Sequence, residues 1–152
     1  MSAQHSAPLA LVILSALAGA ASAGNDRVVA YSIVDGRTVP ASLTGAAGDA
    51  QAGRALYFDS ERTGCAGCHG STEEADNGNA PALGGLARRM DAGMLRLWLV
   101  APAVRSPDTA MPGYYTVGQR TDPNDPRFGE TRLSAGEIED LIAYLMGNSA
   151  TR

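Results

Sequence analysis

The distribution of apolar side chains divides the chain into an apolar leader, a turn-rich arm, and helical segments separated by long Gly- and Pro-rich connections. Leu9 to Ala21 reads LALVILSALAGAA, thirteen residues interrupted only by one Ser and one Gly. A bilayer span needs about 20 apolar residues, so this run is too short to cross one comfortably. It closes on Ala21-Ser22-Ala23, the small-x-small pattern a signal peptidase accepts, which predicts a signal peptide over residues 1–23 cleaved before Gly24. The preceding segment, MSAQHSAP, carries no Arg or Lys, unlike the usual basic start of such a leader.

Residues 24–48 show no sustained helical period. Short apolar pairs, Val28-Val29 and Ile33-Val34, are followed by Asp35-Gly36 and Pro40, which predicts an extended arm with turns. A first helix is expected from Asp49 to about Ser60, with Gly53, Leu56 and Tyr57 on one face. Gly is a poor helix former, yet it admits close approach of a second helix. Residues 61–80 form a Gly-rich polar stretch around the two cysteines. Asp91 is placed to cap a helix over 92–100, stopped by Pro102 and apolar on nearly every side through Met94, Leu95, Leu97, Trp98 and Leu99. Such a helix is expected to be largely buried.

Residues 101–132 make a long connection rich in Pro, Gly, Asp and Thr, of a length that is usually functional. The last helix has the clearest signal. Ser134-Ala135-Gly136-Glu137 is a capping box, and Leu133 with Ile138 is spaced as a hydrophobic staple. Ile138, Leu141, Ile142 and Leu145 then share one face, Glu137, Glu139 and Asp140 sit at the positive helix end, and Gly147 is a stop. No internal repeat is visible. The predicted domain therefore occupies residues 49–152, behind an extension over 24–48.

Composition narrows the function classes. All 12 basic residues are Arg, against 16 acidic residues, for a net charge of -4. Without clustered positive charge the chain is not built for nucleic acid, and without Lys it has no P-loop. A length of 152 residues suits one domain. Aromatics are only 5%, while Gly (18) and Pro (8) are plentiful, so a loop-rich fold must find stabilisation beyond its side-chain core.

Both cysteines and one of the two histidines lie in Cys65-Ala66-Gly67-Cys68-His69, the C-x-x-C-H signature of c-type haem attachment. Thiols at this spacing reach the two vinyl groups on one haem edge, and the adjacent imidazole points at the iron. Gly64, Gly67 and Gly70 keep the backbone compact against the ring. The other histidine, His5, leaves with the leader. A zinc site lacks donors, a thioredoxin-type C-x-x-C lacks its strand and helix context, and a structural disulfide leaves His69 unexplained. One covalently attached haem c is the reading that uses every residue of the motif, and an exported chain provides the compartment for it.

With His69 as one axial ligand, the sixth position falls to Met90, Met94, Met111 or Met146, or stays open. Met90, Met94 and Met146 lie in or beside helices where core packing accounts for them. Met111 sits in Ser106-Pro107-Asp108-Thr109-Ala110-Met111-Pro112-Gly113, a Pro-fixed loop with no helical period that requires an apolar residue. It is the candidate ligand, and His/Met ligation describes an electron shuttle rather than an oxygen-binding iron. Pro81, in Asn79-Ala80-Pro81-Ala82-Leu83, is the candidate to offer its backbone carbonyl to the other nitrogen of His69; a plain turn proline is the alternative.

A haem motif after one helix, a Met loop and a capped terminal helix together resemble the class I cytochrome c family, over residues 49–147. That resemblance implies an all-α haem domain, here with an N-terminal extended arm, whose first and last helices cross with Gly53 and Tyr144 as the close-approach pair. Within it the chain is similar to the SoxX family, the monohaem subunits of periplasmic SoxAX complexes of bacterial sulfur oxidation. The residues carrying this are Gly53-Arg54-Ala55, Asn79-Ala80-Pro81-Ala82-Leu83, the run from Ser106 to Tyr115 with its double Tyr, and the ending from Leu133 to Leu145.

The resemblance implies a periplasmic electron-transfer subunit of an L-cysteine S-thiosulfotransferase. Its partners would be a SoxA-like dihaem or monohaem cytochrome carrying the catalytic cysteine, a SoxYZ-like carrier as substrate, and a small cytochrome as electron acceptor. With both cysteines committed to haem, this chain has no thiol for sulfur chemistry. The arm over Val28 to Val39 is a candidate surface for the SoxA-like partner. Arg120, Arg127 and Arg132 are candidates for haem propionates or an acidic partner, with plain solvation as the alternative. Tyr114 and Tyr115 either pack on the haem edge or serve the ordinary core. The competing function is a free monohaem carrier delivering electrons to a terminal oxidase or other acceptor.

Overall fold

A computed structural model describes residues 28–70, 79–118, 123–124 and 129–147. The predicted leader, Arg120 and Arg127 lie outside them. The described part is helical: α1 (Ala50–Phe58), α2 (Cys65–His69), a 3-10 turn (Leu86–Arg88), α3 (Ala92–Val100), α4 (Pro102–Arg105) and α5 (Ala135–Gly147). No β-strand occurs among the described residues, only an isolated bridge between Val34 and Thr38. No helix among them is long and apolar enough to cross a membrane.

The first helix is shorter than its periodicity suggests. Asp49 caps it by accepting from the Gln51 and Ala52 amides at 2.7 and 3.3 Å. It ends at Phe58 because Asp59 takes over the chain direction, its carboxylate accepting from the Glu61 and Arg62 amides. The face bearing Gly53, Leu56 and Tyr57 is buried, chiefly against α5. A Cβ on Gly53 would overlap the backbone of Asp140 and Leu141, so the absence of a side chain is what lets the helices touch. The close-approach partner is thus Asp140, one turn before the expected Tyr144. That tyrosine packs instead against Tyr57, with ring centroids 5.6 Å apart and the planes tilted by 53°.

The capping box of α5 forms as its sequence requires: the Glu137 amide donates to Ser134 Oγ at 3.2 Å, and the Ser134 amide to Glu137 Oε2 at 2.9 Å. Both staple residues, Leu133 and Ile138, are buried. In α3 the Asp91 cap accepts from the Met94 amide at 2.8 Å. Leu95, Leu97, Leu99 and Val100 enter the core, whereas Met94 and Trp98 remain half-exposed. After Ala101, Pro102 begins α4 rather than merely ending α3, as suits a proline in the first turn.

Two charged residues in this core depart from the sequence expectation. Arg96, on a helix expected to be apolar on nearly every side, and Glu139, expected at the positive end of the last helix, are both buried and joined by two parallel bonds of 2.8 Å. Arg96 also donates to the Val39 carbonyl at 2.7 Å, and Glu139 accepts from the Leu43 amide at 2.8 Å. The arm is therefore stitched to α3 and α5, with Val39 and Leu43 inside the core. Its expected partner-facing span ends before Val39. Only the outer portion, with Val28, Val29, Ile33 and Val34, is exposed and apolar. It turns back through Asp35 and Gly36, both at positive φ, as the Asp-Gly pair predicts.

Candidate haem-attachment site

The C-x-x-C-H motif folds as α2, a helix too short to leave a period in the sequence. Its pitch puts Cys65 and Cys68 on the same side, three positions apart. Both thiols are free, with Cys65 buried and Cys68 exposed. Gly70 ends the turn at φ 97° and ψ 159°, a conformation reserved in practice for glycine. Its carbonyl accepts from the Tyr57 hydroxyl at 3.1 Å, which ties the end of the motif to α1.

Thr63 anchors the start of the motif. Its buried hydroxyl lies 2.6 Å from the Leu56 carbonyl and 3.1 Å from that of Asp59. The Cys65 amide in turn donates to that hydroxyl at 3.4 Å. From the other side, Tyr114 Oη donates to the Thr63 carbonyl at 2.7 Å and lies 3.8 Å from Cys65 Sγ. Burial pushes the Cys65 thiol above its ordinary range, with bonds to Thr63 and Tyr114 opposing the shift. Burial also drives the Tyr114 phenol far upward, so it keeps its proton and acts as a donor.

His69 Nδ1 lies 2.8 Å from the Pro81 carbonyl. A carbonyl only accepts, so Nδ1 carries the proton and Nε2 holds the free lone pair. The loop after Pro81 is itself held by Arg89, whose guanidinium donates to the Ala82 and Gly84 carbonyls at 3.0 and 3.2 Å. Sequence reasoning passed over Arg89 and Thr63, because neither belongs to a motif or a period, and Tyr57 is legible there only as part of the apolar face of the first helix.

Met111 is half-buried against the core, as are Met90 and Met146. The Met111 amide donates to Thr109 Oγ1 at 3.1 Å, inside a turn closed by the Thr109 amide on the Ser106 carbonyl. The double tyrosine that follows splits its duties. Tyr114 faces the attachment turn. Tyr115 accepts from the Val29 amide at 2.7 Å and packs beside Tyr31, so it holds the arm. Arg132 sits over the Tyr114 ring at 5.8 Å, a cation–π contact rather than a purely solvated position.

These residues suit haem c. Two free thiols and an imidazole with a free Nε2 share one turn, and half-buried Ala66, Leu83, Met90 and Met111 supply apolar surface beside the core. No group of three or more His, Cys, Asp or Glu among the described residues is arranged to hold a metal ion directly. A family model described as cytochrome c matches residues 50–149. The crystal structure of SoxXA from P. pantotrophus is similar to this chain, with a TM-score of 0.60 and 26% identity over 78% of this chain and 94% of that one. No curated relative matches the chain.

Proposed function

The chain belongs to the cytochrome c family, and we propose that it is the electron-transfer subunit of a SoxAX-like L-cysteine S-thiosulfotransferase of the periplasm. Covalently bound haem c supplies a one-electron redox centre. In this reading Cys65 and Cys68 form the thioethers, His69 Nε2 and the Met111 thioether ligate the iron, and the Pro81 carbonyl fixes the tautomer and plane of His69. The thiosulfate-conjugating step joins a carrier cysteine on a SoxYZ-like protein to thiosulfate sulfur and releases two electrons. A cysteine of a SoxA-like partner performs it, and this chain takes up the electrons singly and passes them to a small cytochrome. Both of its cysteines are committed to haem, so it contributes no nucleophile.

The observation that carries this reading is the likeness to SoxXA across nearly the whole of that chain. The outer arm supports it, since Val28, Val29, Ile33 and Val34 offer apolar surface that the chain's own core does not use. The test is purification at native expression levels. A larger cytochrome with a cysteine-ligated haem is expected to accompany the protein, and deletion of the chain is expected to stop thiosulfate oxidation. Elution alone, with thiosulfate oxidation intact after deletion, sinks the proposal and leaves a free electron carrier. Sequencing the secreted form is expected to begin at Gly24.

A further inference from the structure

We propose that Tyr114 is a positioning residue that locks the loop bearing Met111 to the turn bearing Cys65, Cys68 and His69, and so governs how readily the Met111 thioether leaves the iron. This rests on the ligand assignment above. Tyr114 follows Met111 by three residues, with Pro112 restricting the backbone between them. Its amide donates to the Leu99 carbonyl at 2.9 Å, and its own carbonyl accepts from the Leu133 amide at 2.9 Å. The backbone just after the Met is thereby nailed to the end of α3 and to the residue before the α5 cap.

The side chain makes the remaining connection. The phenol is buried, donates to Thr63 at 2.7 Å, and touches the Cys65 sulfur at 3.8 Å. Once that sulfur is a thioether it has no proton to give, so the phenol proton remains wholly on the Thr63 carbonyl. Thr63 is pinned to α1 by its own hydroxyl. Segments 51 residues apart, the Met111 loop and the entry to the attachment motif, are thus joined by one buried hydrogen bond. Removing the hydroxyl leaves a buried carbonyl unpaired and frees the loop without removing the ring that fills the core.

The test uses ferric holoprotein and imidazole as a competing ligand, followed by the ~695 nm band of a Met-ligated ferric haem. Tyr114→Phe is expected to keep the covalent haem and the band but to lose the band at about 5–10-fold lower imidazole than wild type. Tyr115→Phe, which removes the neighbouring hydroxyl that serves the arm, is expected to titrate like wild type. Thr63→Val loosens the acceptor from the other side, and is expected to shift in the same direction as Tyr114→Phe. It also decides the matter should Tyr114→Phe yield no holoprotein. Wild-type titration by both Tyr114→Phe and Thr63→Val overturns the proposal, as does an equal shift in Tyr115→Phe. Met111→Ala separates the two levels. Loss of its band alongside unmoved Tyr114→Phe and Thr63→Val sinks only the positioning role, whereas a retained band removes the ligand assignment and the positioning role with it.

Discussion

Arg96 and Glu139 form the most consequential residue-scale contact outside the haem motif. A buried Arg paired with a buried carboxylate is stable only while both partners remain, because either alone is an uncompensated charge in the core. Glu139→Gln is expected to destabilise the holoprotein by about 3–5 kcal/mol in denaturant unfolding. A double change to apolar residues of similar volume is expected to recover much of that loss. A second residue-scale prediction concerns pH. A deprotonated lysine amine is a side-chain base that competes for ferric iron above about pH 10, but all 12 basic residues here are Arg, which stays protonated. On the proposed Met111 ligation, the ~695 nm band is therefore expected to persist past the pH at which lysine would displace the thioether, as followed by absorbance against pH. The attachment motif was legible because its chemistry is contiguous. The Arg96–Glu139 pair was not, because its members stand 43 positions apart and each fits a local role on its own helix.

At the scale of elements, the crossing of α1 and α5 depends on a missing side chain. Gly53→Val is expected to push the helices apart and cost about 3 kcal/mol or more, since the obstacle is backbone that cannot swing aside. Ser134→Ala is expected to cost about 1 kcal/mol, the usual value of an N-cap, without altering the crossing. Thermal or chemical unfolding of the two variants distinguishes a packing defect from a capping defect. The boundaries of α3 and the start of α5 were readable because Asp91 and Ser134 announce them. Cys65–His69 and Pro102–Arg105 were not, since five and four residues contain too little helix for a period to show. The partner of Gly53 also lay beyond sequence reasoning. Periodicity names the face of a helix that is buried, but not the register of the helix that meets it.

For the whole molecule, the division within the arm matters most. Removing residues 28–34 is expected to change unfolding stability by about 1 kcal/mol or less, because the lost side chains are mainly exposed, while abolishing co-purification with the proposed SoxA-like partner. Extending the deletion through Leu43 is expected to destabilise the domain severely, since Val39 and Leu43 belong to the core and their backbone groups complete the Arg96–Glu139 network. Comparing the two truncations separates a docking segment from a structural one. Sequence could identify the arm as extended, but not where it stops being an appendage. The change is made by partners that come from the far end of the chain.

The burial of Cys65 also sets an order of events. In the closed fold its sulfur lies beneath Tyr114, while its neighbour Cys68 stays open to solvent. What covers it comes late in the chain: Tyr114, whose carbonyl is fixed by the Leu133 amide. A chain emerging from its N-terminus has its motif exposed well before those residues arrive, and contacts of such long sequence separation are slow to form. That delay is the interval in which both thiols are reachable. Haem attachment is therefore expected to precede completion of the core, with Tyr114 closing over a bond that is already made.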